Sequence, residues 1–122
     1  MEDDSLVTRI AYRRLDLRRD DSATGFDMAL ECDLGTYGMN LLFKARHALN
    51  PGGRCVVVDE FDLLGVDPSL LLLAHAFCAS LDNPDYSAPK APELYALLSE
   101  AGFQSARVER QPNGMPLIGA ER

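Results

Sequence analysis

Apolar and polar residues alternate along this chain with a period that changes from segment to segment, and each change marks a predicted element. Val7, Ile10, Tyr12, Leu15 and Leu17 stand among arginines, a pattern that predicts a strand over 7–17 with one open face. The polar stretch from Arg18 to Gly25 predicts a loop. Phe26 to Cys32 then predicts a short buried strand, closed off by Gly35 and Gly38. Asn40 is a candidate cap for a helix running to about Leu49, because Leu41, Leu42, Ala45, Ala48 and Leu49 share one face.

Pro51 cannot continue that helix, and Gly52 and Gly53 permit a tight reversal into a strand over 54–59. Three successive valines, Val56 to Val58, suit a strand covered on both faces. Asp67-Pro68-Ser69 predicts the start of a strongly apolar helix over 70–81, followed by a Pro- and Ser-rich loop from Asn83 to Lys90. An amphipathic helix over 92–101 turns Leu94, Leu97, Leu98 and Ala101 inward and stops at Gly102. Residues 103–110 predict a strand, Gln111 to Gly114 a hairpin-type turn, and 115–120 a last strand. Strands alternating with helices imply an α/β fold whose sheet is mainly parallel, with an antiparallel C-terminal edge. No repeat, low-complexity segment or composition break divides residues 1–122, so a single domain is expected.

A formal charge of −7 argues against a nucleic-acid surface, which requires clustered Lys and Arg. Arg9, Arg13, Arg14, Arg18 and Arg19 are offset by Asp16, Asp20, Asp21 and the acidic Glu2-Asp3-Asp4. Cys32, Cys55 and Cys78 are odd in number and lack CxxC spacing, which suggests neither a disulfide framework nor a metal site. The start of the chain has no apolar core of signal-peptide type, and the apolar run around Leu70 to Ala79 is too short to span a bilayer. A cytoplasmic protein with reduced, mostly buried thiols and no membrane partner is expected. No Ser-His-Asp order, HExxH, P-loop or EF-hand pattern occurs.

Several of these segments resemble, in the right order, the C-terminal part of Rossmann-like (class I) S-adenosylmethionine (SAM)-dependent methyltransferases. Asp16-Leu17 stands where that family has an acid after its third strand, and Gly25-Phe26-Asp27 matches the opening of its fourth. Leu49 to Asp59 is similar to the Pro-Gly-Gly segment and fifth strand. Pro92 to Phe103 resembles the segment before the sixth strand in small-molecule O-methyltransferases. The resemblance implies a partial Rossmann-like sheet lacking its first two strands, SAM as cofactor and a small-molecule acceptor. The family's Gly-rich turn and its ribose-binding acid have no counterpart, since no GxGxG occurs and too few residues precede Val7 to hold two strands and their helices. The chain alone is therefore expected to be inactive, the alternative being a non-catalytic binding or assembly module derived from this fold.

Within that frame the resemblance implies that Asp16 accepts the adenine amino group and that Leu17 offers its backbone N–H; otherwise Asp16 simply caps a turn among arginines. Glu31, Cys32 and Asp33 fall at the carboxyl end of a strand, where open α/β sheets place their ligand crevice. Glu31 there can hold a cation, a substrate hydroxyl or the methionine amino group, or act as general base if burial raises its pKa; the plainer reading is a solvated acid. His75, inside the apolar helix, is the other candidate base, against a packed boundary histidine. His47 reads as a surface residue, and Asp59 and Glu60 as a polar exit from a strand. Tyr37, Phe61, Phe77 and Tyr86 can wall an aromatic acceptor pocket or simply fill the core. Loss of the family's first two strands would leave the 26–32 strand with an open apolar edge, covered by the 7–17 strand, by a second copy in a homodimer, or by a missing N-terminal half.

Overall fold

A helix that runs without a linker into a strand forms the corner on which this molecule is built. In the computed structural model, which describes residues 9–32, 34–62, 70–110 and 116–122, the elements are β1 (Phe26–Cys32), α1 (Met39–Ala48), β2 (Leu49–Val58), α2 (Leu70–Asp82), α3 (Ala91–Glu100), β3 (Gln104–Arg110) and β4 (Pro116–Glu121). The reversal between α1 and β2 is absorbed at the start of the strand itself, with Gly52 at φ 79°. Asn50 Nδ2 donates to the Gly25 carbonyl at 3.2 Å and to Asp27 Oδ1 at 3.0 Å, tying the corner to the start of β1. Arg122 closes the other side. Its N–H donates to the Gly53 carbonyl at 2.8 Å, its carbonyl accepts from Gly52 at 3.3 Å, and its guanidinium donates to the Leu49 carbonyl.

The sheet has the order β1-β2-β4-β3. β1 and β2 pair in parallel, with Ala29 opposite Cys55 and Glu31 opposite Val57. β4 returns antiparallel between β2 and β3, which forms the expected antiparallel C-terminal edge. α1 and α3 pack against one face and against each other. Between them and the sheet lie the fully buried Leu42, Leu49, Cys55, Val57, Leu94, Leu98 and Ile118. Each leucine-sized side chain removed from water there contributes about 1.5–3 kcal/mol before conformational entropy is set against it. The inward faces of α1 and α3 are those the spacing predicts. Gly102 stops α3 at φ 92°.

Three expectations need correction. The 7–17 segment forms no strand among the described residues; Tyr12 is 91% exposed and the chain instead turns at 16–20. The Asp16 carbonyl accepts from the N–H groups of Arg19 and Asp20, and its carboxylate accepts from that of Arg18. Such local side-chain bonds compete with a strand that has no neighbour to pair with. Parallel pairing is thereby confined to β1 and β2.

β1 forms as expected but is not buried: Phe26, Met28 and Leu30 are 48–60% exposed, because among the described residues β1 pairs only with β2 and nothing covers that face. Asn40 does not cap α1, since the helix begins one residue earlier with Gly38 at the cap position and no side-chain bond. The apolar helix expected over 70–81 forms as α2 and is largely exposed. Leu70, Leu73, Phe77 and Leu81 point outward, and it packs on no other element to the extent that α1 and α3 do. The expected helix start at Asp67-Pro68-Ser69 and the turn at 111–114 lie outside the described residues.

A Cβ on Gly53 would stand 2.9 Å from the Asn50 carbonyl oxygen and 3.2 Å from that of Asp27, both main-chain atoms that cannot swing aside. Gly53→Ala is therefore expected to lower stability by about 1–3 kcal/mol through overpacking, read as a drop in the urea midpoint at unchanged m-value.

Candidate functional site

The parallel pair puts the carboxyl ends of β1 and β2 side by side, the place where an open α/β sheet leaves a crevice. The segment 34–38 leaves β1 there, and Asp59 follows β2 directly. Asp59 is the one buried charged residue among those described, 3% exposed. Its Oδ2 accepts from the Gly35 N–H at 3.0 Å and from the Tyr37 hydroxyl at 2.6 Å, while Oδ1 accepts from the Glu60 N–H at 2.7 Å. Burial, followed by this bond and the Asp59 charge, raises the Tyr37 phenol well above its ordinary pKa. The carboxylate thus staples the 34–38 segment to the end of β2.

The stapled segment borders two depressions, and Thr36 lines both. One, of about 330 Å³, is walled by Leu17, Leu34 and Leu41, with Arg18, Thr36 and Asn40 as its polar groups. Three leucines with a few polar groups at the rim suit a flat, weakly polar ring. The other, of about 380 Å³, is lined by Tyr37, Tyr86, Asn83, Asp85, Lys90 and Glu93. It is more polar, and its Lys90 lies 3.7 Å from Glu93.

The sequence-predicted residues do not gather in one cavity. Leu17 lines the leucine-walled groove, and Asp16 sits on the turn beside it. The Arg18 side chain and then the Arg18 N–H hold Asp16 below the usual carboxylate range, with Lys44 adding to the effect, so it stays ionised as a hydrogen-bond acceptor. Glu31 is half-buried on the helix-covered face, and its Oε2 is shielded from solvent with no hydrogen-bond partner. Desolvation raises its pKa from the ordinary 4.5 to about 7. Beside it the Cys55 thiol is pushed up to about 12, by burial first and then by the Glu31 charge.

His75 packs edge-on, at 5.9 Å, against Tyr86, which lines the polar depression. Phe61 is core, 6.4 Å from the Tyr37 ring, and Phe77 is exposed and lines neither depression. His47 is exposed; Cys32 is exposed as well, and Asp33 lies outside the described residues. Sequence reasoning missed the Asp59–Tyr37 bond and the part played by Asn83 to Lys90. The only signal for the first was an acid directly after three valines, and for the second a Pro- and Ser-rich loop ahead of Pro92.

No protein-family profile matches the sequence, and none of the curated proteins matches it. Solved structures do. SibL, a SAM-dependent methyltransferase in its apo form, superposes with a TM-score of 0.67 at 25% identity over 90% of this chain. An O-methyltransferase family protein from Burkholderia thailandensis gives 0.73 at 14% identity over 97%. Human N-acetylserotonin methyltransferase in complex with SAM gives 0.69 at 19% identity over 90%. The fold is that of the C-terminal part of a SAM-dependent methyltransferase. The chain spans only about a third of the length of these relatives, 35%, 37% and 33% respectively. Among the described residues no helix is long and apolar enough to cross a membrane.

The raised pKa of Glu31 makes stability pH-dependent with a defined sign. Its neutral form is favoured in the folded state, so its contribution is fully present below about pH 4.5 and is lost as pH rises through about 7. Glu31→Gln is expected to remove that slope. Urea midpoints of the variant and parent should nearly coincide at about pH 4 and separate in favour of the variant at about pH 8.

Proposed function

We propose that this chain is the C-terminal part of a SAM-dependent methyltransferase that methylates a hydroxyl of a small acceptor, and that it binds the cofactor productively only with an N-terminal half in place. The observation that carries this is the superposition of nearly the whole chain on methyltransferases about three times as long. The residues at the crevice suit one end of the cofactor. Asp16, held ionised, accepts from the adenine amino group, and the Leu17 N–H donates to a ring nitrogen. Leu17, Leu34 and Leu41 sandwich the flat base. Glu31 is the candidate for the methionine amino group, while the Gly-rich turn and the second acid with which the family holds the methionine end and the ribose hydroxyls have no counterpart in the sequence.

When bound, the cofactor supplies an electrophilic methyl group; catalysis then consists mainly in holding acceptor and donor in line. The two tyrosine faces and the polar rim of the second depression receive a planar, hydroxylated acceptor. Glu31, at the carboxyl end of β1 with a pKa near 7, is one candidate to take the proton that the hydroxyl gives up, although it lines neither depression. His75, packed against Tyr86, is the second candidate for that proton. Free thiols at Cys32, Cys55 and Cys78 suit a reducing cytoplasmic setting.

The open edge of β1 and its exposed Phe26, Met28 and Leu30 are where the missing half pairs, since a bare strand edge with apolar side chains is a template for another strand. In its absence two copies of the chain pair along that edge. Sedimentation velocity is expected to show concentration-dependent dimers that Leu30→Lys converts to monomers with little change in the denaturation midpoint. A parent chain that stays monomeric overturns the pairing.

Calorimetric titration of the chain with SAM is expected to give no measurable heat, and heat of binding is expected once the N-terminal half of a related methyltransferase is added in trans. Micromolar affinity of the chain alone would show that the Gly-rich turn is dispensable. Silence in both arms would favour the non-catalytic module.

A further inference from the structure

The turn that carries Asp16 and Leu17 is closed almost entirely upon itself. The Asp16 carbonyl accepts from Arg19 at 2.9 Å and Asp20 at 2.8 Å, Asp20 Oδ2 accepts from the Asp16 N–H at 2.8 Å, and Arg18 donates to Asp16 from both backbone and side chain. Such a turn keeps its own shape wherever it sits. What fixes its position is a single side chain on a different element. Lys44, on α1, donates from Nζ to the Leu17 carbonyl at 2.9 Å and to the Asp20 carbonyl at 2.7 Å. Among the described residues these are the only hydrogen bonds from the 16–20 turn to the rest of the molecule. Among the described residues no strand holds this segment, and β1 is the last strand of the sheet on that side.

We propose that Lys44 is a positioning residue for adenine recognition: its ammonium bridges two carbonyls of the turn and so sets the distance between the turn and the groove wall that α1 and the 34–38 segment supply. This rests on the adenine reading of Asp16 and Leu17 given above. Asn40 and Leu41, one turn before Lys44 on the same helix, line the leucine-walled groove, and Leu17 faces them across it. The base therefore lies between two surfaces whose only hydrogen-bonded tie, among the described residues, is Lys44. A planar ring slips into a gap of loose width as readily as into one of fixed width; a hydrogen bond from its edge to Asp16 requires the fixed one. Lys44 touches no base atom in this scheme. It acts through the turn, and its loss removes discrimination between bases rather than all affinity for them.

The test is a titration of the isotopically labelled chain, followed by amide shifts of Leu17, Thr36 and Asn40, with millimolar adenosine and with inosine, whose 6-oxo group cannot donate to Asp16. The parent chain is expected to prefer adenosine about tenfold, the scale of one hydrogen bond to a charged group. Lys44→Met keeps the length of the side chain and removes its donors, and is expected to reduce the preference to less than about twofold while weak binding of both nucleosides persists. Lys44→Arg restores donors and is expected to restore the preference. A lysine with a merely structural role would lower the denaturation midpoint in Lys44→Met and leave the ratio alone. A Lys44→Met chain that keeps the parent's preference overturns the positioning role while leaving the adenine reading intact. A parent chain with no preference overturns the adenine reading and the role of Lys44 with it.

Discussion

The whole arrangement depends on the hydrogen bonds around residues 49–53. A parallel strand pair has no hairpin to set its register, so the register of β1 on β2 must be imposed from elsewhere. Asn50 does this from its side chain, reaching Gly25 and Asp27 at the beginning of β1, while Arg122 grips Gly52, Gly53 and Leu49 from the end of β4. A slip of β1 by one residue would move Ala29 and Glu31 to the uncovered face and turn Met28 and Leu30 toward the helices. Three strands therefore meet at one corner, where Gly53 leaves no room for a side chain. The carboxyl ends of β1 and β2, and with them the crevice, lie where this corner puts them.

Charge is used differently on the two sides of the sheet. On the helix-covered side the polar groups are few and either saturated, as Asp59 is, or held near neutrality, as Glu31 is by desolvation. On the other side Arg54 crosses β4 to meet Glu109 at 2.7 Å, and Arg107 meets the same carboxylate at 3.2 Å. Gly119 makes the crossing possible, since a Cβ there would lie 2.9 Å from the Arg54 guanidinium. That face is apolar along β1 and ionic along β3, a gradient that a covering partner has to match. Partly exposed pairs of this kind add little to stability and more to the selection of what packs against them.

Helices α1 and α3, with their inward leucines and the Gly102 stop, were legible because a 3.6-residue period over ten residues has few other solutions. The strand after Pro51 was legible for the same kind of reason, three valines bounded by turn residues. The 7–17 segment was misread because alternation reports which side chains could share a face and not whether a neighbouring strand exists to accept the backbone bonds. The same gap explains the exposed β1 and α2: an apolar run looks alike whether its cover is present or elsewhere. At the site, Glu31 could be flagged from its place at a strand end, but its lost partner and raised pKa required the fold. Lys44 carried no signal at all, since a lysine off the apolar face of a helix usually points into water.

Asp59 has one more implication. Because Gly35 bonds through its backbone and Tyr37 through its hydroxyl, the shape of the 34–38 segment is inherited from the end of β2 rather than written in the residues that face the depressions. Thr36 sits between these two anchors, carries no part of the staple and looks onto both hollows. Its side chain can be exchanged without moving the wall it belongs to. The division of labour leaves a rigid frame with one replaceable tile, and a change of ligand preference can accumulate there without cost to the architecture.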